Sequence, residues 1–240
     1  MEHEINETFS KKNRIIQKKI YLCRFLINMK FGFYVSDNAG RLKLFLQHKF
    51  EIESIAFVLI DNTGNQDLVQ ICEQLEIPFY QYSYSDLGLK FKEQNRFISA
   101  KLLELMEMKD ADYCFVFGNR ILEGDLMTRY QNRLINFHPS LLPAFKGVKS
   151  IDQALENNAL LLGNSAHFIV ESVDSGSVIM QSILPALQFN GYDSVLNLQV
   201  PMLMQLIKWL KTDRIILNNG RVEVKNASYK IDTFIPNLEI

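Results

Sequence analysis

The sequence predicts an α/β fold: a doubly wound, mostly parallel sheet of Rossmann-like type, with some antiparallel strands and a small C-terminal β-hairpin. Three observations predict it. Short apolar runs rich in β-branched and aromatic residues (31–36, 54–60, 78–82 and 113–117) alternate with segments whose apolar residues recur at helical spacing. Three of the runs, 31–36, 54–60 and 113–117, carry no charged or polar-amide residue and no polar residue in their interior, as strands covered by helices on both faces require. Near the end, Asn219-Gly220 separates two alternating segments, the short-range signature of a two-residue hairpin turn.

Composition limits what such a domain does. With 240 residues the chain is long enough to bury a substantial core. Its 26 Lys+Arg against 27 Asp+Glu leave a net charge of -1, so no global field draws it to nucleic acid or an anionic membrane. No window approaches the roughly 18 consecutive apolar residues of a membrane span. Cys23, Cys72 and Cys114 are far apart and lack metal-ligand spacing, which predicts reduced thiols in a cytoplasmic protein.

Taken in order, residues 1–28 begin polar and then carry apolar residues at a roughly helical spacing. Glu2, Glu4, Glu7 and Arg24 argue against a targeting peptide, so an extension is expected at 1–28 and the domain from Met29. Helices are expected over 41–48, 67–75 and 86–108, each between predicted strands. After residue 118 come the apolar run that ends at His138, a helix over 149–156, and two strands at 160–170 and 177–184, paired antiparallel across a six-residue loop. A helix over 193–210 is expected to kink at Pro201. The main domain is expected to cover 29–212, and a hairpin with its tail 213–240.

Parallel sheets of this kind place ligands beyond the carboxyl ends of their strands. Three stretches fall there: 36–41, 118–122 and 136–147. In the last, an extended chain projects Asn136 and His138 from one side, and Pro139 biases His138 away from helix. The turn from Ser36 to Gly40 lies where phosphate meets a helix N-terminus, but its single glycine argues against a dinucleotide; a plain helix cap at Ser36, Asp37 or Asn38 is as good a reading. His48 and His167 fall on helix and strand bodies and His3 in a polar tail, so structural roles are expected for all three. No zinc-ligand spacing is present, and no metal is expected. Asp174 lies in the loop between the paired strands, beside Ser175-Gly176.

Together, Asn136-Phe-His138-Pro-Ser-Leu-Leu-Pro143 with Gly147, then Gly163-Asn-Ser-Ala-His-Phe168, then Val173-Asp174-Ser-Gly176 and Gln181, resemble the folate-dependent formyltransferase family, over roughly 29–230. The resemblance implies transfer of a formyl group from 10-formyltetrahydrofolate to an amine, with Asn136, His138 and Asp174 as the catalytic group. It implies a folate site at Gly118, Asn119, Arg120, Ile121 and Leu122, closed by the Asp174 loop with Val173. An acceptor phosphate would meet Ser36, Asn38, Gly40 and Arg41, with Lys146 nearby. Glycinamide ribonucleotide enzymes carry a glycine-richer loop at 36–41. Residues 144–147 and 233–238 look more like small sugar-nucleotide N-formyltransferases. The expected acceptor is therefore a nucleotide-linked amino-dideoxysugar, such as dTDP-4-amino-4,6-dideoxyglucose for lipopolysaccharide O-antigen, with glycinamide ribonucleotide as the alternative and a non-catalytic ligand-binding module as the second. Small-molecule partners, no nucleic acid, no membrane and a homodimer compatible with the family complete the expectation.

Overall fold

A computed structural model describes residues 28–240; the expected extension at 1–28 lies almost entirely outside them. The chain runs β1 (Phe31–Val35), α1 (Gly40–Gln47), β2 (Ile55–Ile60), α2 (Gln66–Gln74), β3 (Phe79–Gln81), α3 (Tyr84–Leu87), α4 (Phe91–Met108), β4 (Tyr113–Phe117), α5 (Asp125–Arg129), β5 (Leu134–His138) and α6 (Ser150–Glu156). There follow β6 (Leu161–Phe168), β7 (Val178–Pro185), α7 (Asp193–Leu196), α8 (Gln199–Lys211), β8 (Ile215–Asn218), β9 (Arg221–Val224) and β10 (Phe234–Ile235).

Eight strands form one sheet in the order β10-β7-β6-β5-β4-β1-β2-β3. The pairs from β5 to β3 are parallel, and those from β5 through β6 and β7 to β10 are antiparallel. Strand order reverses at β1 and β4, so the loops after these two diverge and leave a crevice at their carboxyl ends. Alternation along each strand supplies two cores. Phe31, Phe33 and Val35 pack with Phe115, Phe117, Ile135, Phe137 and Trp209 on one face. Tyr34, Phe57, Leu59, Val116 and Leu134 pack with Ile98 and Leu102 on the other. Asn136 and His138 continue the face of Leu134, and Asp61 that of Leu59.

Several expected elements differ. The helix expected over 86–108 is divided into α3 and α4, because Gly88 turns the chain at φ 63°. The helix over 193–210 breaks at Asn197-Leu198, before the proline. Pro201 is the third residue of α8, where the backbone N–H it lacks would have had no helical partner. Neither α5 nor β10 was expected; each is too short to show a period. β10 pairs Phe234 with Ser182 and Ile235 with Gln181, adding the C-terminal segment to the edge of the main sheet. The hairpin of β8 and β9 forms as expected, with Asn219 and Gly220 both at positive φ, 47° and 75°. Cys72 and Cys114 are free and buried.

Candidate active site

The end of β5 carries the cluster. β5 lies antiparallel to β6 with Asn136 opposite His167 and His138 opposite Ser165, so all four side chains approach one another. The loop between β6 and β7 folds back over them and brings Asp174 Oδ2 to 3.3 Å from His138 Nδ1. Asp174 Oδ1 lies 3.6 Å from His167 Nε2. Asp174 has φ 48°, and a Cβ on Gly176 would stand 1.7 Å from the Phe168 carbonyl oxygen, so this fold-back needs the glycine.

The remaining contacts assign the protons. A carbonyl oxygen only accepts, so His138 Nε2 donates to the Phe145 carbonyl at 2.9 Å and Nδ1 faces Asp174. His167 Nδ1 donates likewise to the Phe168 carbonyl at 3.0 Å; its Nε2 stands 3.2 Å from Asn136 Nδ2, from which it accepts when the ring is neutral, and faces Asp174 when it carries a proton. Asn136 therefore spends one amide N–H on His167 and keeps one. The Gly147 N–H donates to Asp174 Oδ2 at 2.8 Å. Burial alone would raise the Asp174 carboxyl, but His167, the Gly147 N–H and the adjacent His138 outweigh it and hold the group below the ordinary carboxylate value. Asp174 is thus a carboxylate with a 9 % exposed side chain between two imidazoles.

The loop from Pro139 to Gly147 is held from below. Ser165 Oγ donates to the Ser140 carbonyl at 2.7 Å and accepts from the Leu142 N–H at 3.0 Å, while Gln181 Nε2 donates to Ser165 and to the Leu142 carbonyl. Lys146 donates to Ser175 Oγ at 2.7 Å, tying this loop to the Asp174 loop. Val173 is exposed beside it.

The other expected residues divide. Ser36 Oγ accepts from the Asn119 N–H at 3.0 Å, and Asn119 Nδ2 donates to Asp37 at 2.7 Å, bridging the β1 and β4 loops. Asn38 Oδ1 accepts from the Gly40 N–H, which serves the start of α1. The Arg41 guanidinium lies 5.7 Å from the Phe117 ring centroid with Nε buried and unbonded. Burial lowers its pKa against the opposing charges of Asp37 and Asp193. Arg120 stacks between Tyr84 and Phe91, Ile121 is exposed, and Leu122 belongs to the second core. Gly118 has no room for a side chain: a Cβ there would lie 2.2 Å from the Tyr34 ring.

His167, expected to have a structural role, is buried and hydrogen-bonded but also lies beside the expected catalytic residues. It lies in a strand body, but pairing with β5 places it against Asn136 and Asp174. Its stretch, 163–168, carries part of the family resemblance, but its place opposite Asn136 depends on cross-strand register, which is not visible in one strand. His48 is the C-cap residue of α1 through its backbone N–H, with an exposed side chain. Among the described residues no group of His, Cys, Asp and Glu is arranged to hold a metal ion, and no helix is long and apolar enough to cross a membrane.

Comparison with known proteins identifies the family of the chain. Formyltetrahydrofolate deformylase of Bacillus subtilis is 28% identical over 177 residues, 72% of this chain and 57% of that protein. Trifunctional purine biosynthetic protein adenosine-3 of Homo sapiens is 38% identical over 95 residues, 40% of this chain and 9% of the relative. The chain thus spans less than two thirds of the length of these curated relatives. Among solved structures, glycinamide ribonucleotide transformylase 1 from Symbiobacterium toebii superposes with a TM-score of 0.71 at 24% identity, over 82% of this chain and 93% of that one, a likeness of fold. The formyl transferase family model matches residues 29–198, most of the described chain, and the chain belongs to the formyl transferase family.

Proposed function

We propose that this protein transfers a formyl group from 10-formyltetrahydrofolate to the primary amine of a nucleotide-linked amino sugar. The observation that carries the transfer is the cluster of Asn136, His138 and Asp174, supported by the family match. The amine nitrogen attacks the formyl carbon, negative charge develops on the formyl oxygen, and the bond to folate nitrogen then breaks as the amine loses a proton. The spare N–H of Asn136 suits the developing oxyanion. His138 donates its Nε2–H to the Phe145 carbonyl in this conformation, so a formyl oxygen has to displace that carbonyl before His138 joins Asn136. With Nε2 carrying that proton and Nδ1 facing Asp174, the base left for the amine proton is the Asp174 carboxylate, directly or through a water that it holds. The exposed apolar side chains of Ile121 and Val173 offer surface for a pterin.

Support for a nucleotide-linked acceptor comes from the loop after β1. Asp37 and Ala39 occupy left-handed positions that glycine would fill more cheaply, and Arg41 beside them has no hydrogen-bond or ion-pair partner among the described residues. A guanidinium so placed suits a phosphate or pyrophosphate. Glycinamide ribonucleotide is the second reading, favoured by the superposition over 93% of a glycinamide ribonucleotide transformylase chain. Comparing kcat/KM for glycinamide ribonucleotide and for UDP-, GDP- and dTDP-linked amino sugars, with 10-formyltetrahydrofolate as donor, decides between them. We expect an amino sugar to be preferred. Formylation of glycinamide ribonucleotide alone, or release of formate with no acceptor required, would refute the proposal.

A further inference from the structure

A cavity of about 300 Å³ opens beyond the carboxyl ends of β1, β2 and β4, lined by Ser36, Asp37, Asp61, Tyr84, Asn119 and Arg120. It contains none of Asn136, His138 and Asp174; Ser36 borders it from the expected acceptor stretch, Asn119 and Arg120 from the expected folate stretch, and Asp61 belongs to neither. Asp61 directly follows β2, is only 6 % exposed, and is held like a built receptor. The hydroxyls of Tyr34, at 2.7 Å, and Tyr84, at 3.2 Å, both donate to Oδ2. Oδ1 has no partner among the described residues, and it is not sealed in the interior. A carboxylate with one oxygen anchored and the other open to a cavity is a fixed, charged acceptor that can exchange water for a donor on a ligand.

We infer that Asp61 Oδ1 accepts a hydrogen bond from the ribose 2′-hydroxyl of the acceptor's nucleotide, so that the carrier is a ribonucleotide and not a deoxyribonucleotide. This inference rests on the nucleotide-linked acceptor proposed above. In those doubly wound folds that bind dinucleotides, phosphate meets the turn after the first strand, and an acidic residue about 20 positions on, at the end of the second, takes the ribose 2′-hydroxyl; this chain lacks their glycine-rich turn but has the acidic residue. Arg41 stands at the first of these places and Asp61 at the second. Charge decides which part of the ligand enters the cavity. Asp37 and Asp61 outnumber Arg120, whose guanidinium is already packed between Tyr84 and Phe91, so a neutral hydroxylated ring is favoured there over a phosphate. Asp37 borders the cavity and is also the leading opposing charge at Arg41, which places the two subsites side by side. From β5 to β2 is three strand spacings, about 14 Å at ~4.8 Å each, a span bridged by an amino sugar joined to ribose through a pyrophosphate.

The test is calorimetric binding of UDP, GDP and ADP to the full chain, each against its 2′-deoxy counterpart, in the wild type and in Asp61→Asn. Asparagine keeps an oxygen for the two tyrosines, and the melting temperature and binding of 10-formyltetrahydrofolate report that the fold and the donor site are intact. We expect at least one ribonucleotide to bind roughly tenfold or more tighter than its 2′-deoxy form, as a lost hydrogen bond to a charged group implies. Asp61→Asn turns the facing group from a charged acceptor into a neutral donor, so it should cut that difference severalfold and leave folate binding unchanged. Equal binding of ribo and deoxy forms, or a difference undiminished in Asp61→Asn, would overturn the role of Asp61 while leaving a nucleotide-linked acceptor in place. Weakened folate binding in Asp61→Asn would instead place the donor in the cavity and overturn the inference. If no nucleotide binds and glycinamide ribonucleotide is formylated, the proposed acceptor fails and the inference with it.

Discussion

Asp174 is the residue on which the proposed chemistry turns, and its charge state follows from its neighbours. Its carboxyl is held below the ordinary value, so the ionised form interacts better with the folded protein than with the unfolded chain. Such a group adds stability above its unfolded pKa of about 3.9, and that increment is lost as pH falls through the lower folded value. Asp174→Asn is therefore expected to flatten the acid limb of a melting temperature against pH profile below about pH 4, with little change near neutrality in that slope. The same substitution should lower kcat by about a hundredfold or more, the scale of a lost acid–base partner; a wild-type kcat in Asp174→Asn would remove Asp174 from the mechanism. Tyr34→Phe tests a different buried carboxylate. It deletes one of two hydroxyls donating to Asp61, and should cost about 1.5–3 kcal/mol, read as a lower urea midpoint at unchanged slope.

At the scale of elements, the ends of β1 and β4 are fitted to one another. Tyr34 fills the space beside Gly118, and one residue later the Asn119 N–H meets Ser36 Oγ. Gly118→Ala puts a methyl group 2.2 Å from a fully buried ring, and the ring cannot swing away without leaving Asp61. The expected cost is about 1–3 kcal/mol, measured by chemical denaturation. An unchanged midpoint would mean that the β4 loop relaxes freely. Much at this scale was legible beforehand. Unbroken apolar runs announced the parallel strands, and Asn219-Gly220 announced its hairpin, because a two-residue turn with both residues at positive φ accepts few other pairs. Less legible were short elements. Two residues of β10 carry no period, and the division between α3 and α4 rests on the backbone of Gly88 alone.

For the whole molecule, the segment after β9 joins the sheet and the core. Phe234 and Leu238 pack against the first core, β10 pairs with β7, the Glu239 N–H donates to Gln205, and Glu239 pairs with Arg214. Removing residues 226–240 deletes this edge strand and uncovers part of α8. Burial of the two apolar side chains is worth up to about 1.5–3 kcal/mol each, which for a chain of this size is a fall in melting temperature of roughly 5 °C or more. Retention of the full melting temperature would show that the segment only rests on the surface.

What the sequence determined by itself was local: the order of strands and helices, the two-residue spacing that aims Asn136 and His138 in one direction, and a family resemblance that named Asp174 as their partner. Periodicity and turn chemistry are written in neighbouring residues, so a single chain displays them. Tertiary structure alone decided what depends on register and fold-back. It set His167 opposite Asn136, brought the Asp174 loop over both, engaged His138 Nε2 with the Phe145 carbonyl, and left one oxygen of Asp61 open beside the β1 and β4 loops. Those contacts join residues up to tens of positions apart through strand pairing and packing, and no spacing within one segment encodes them.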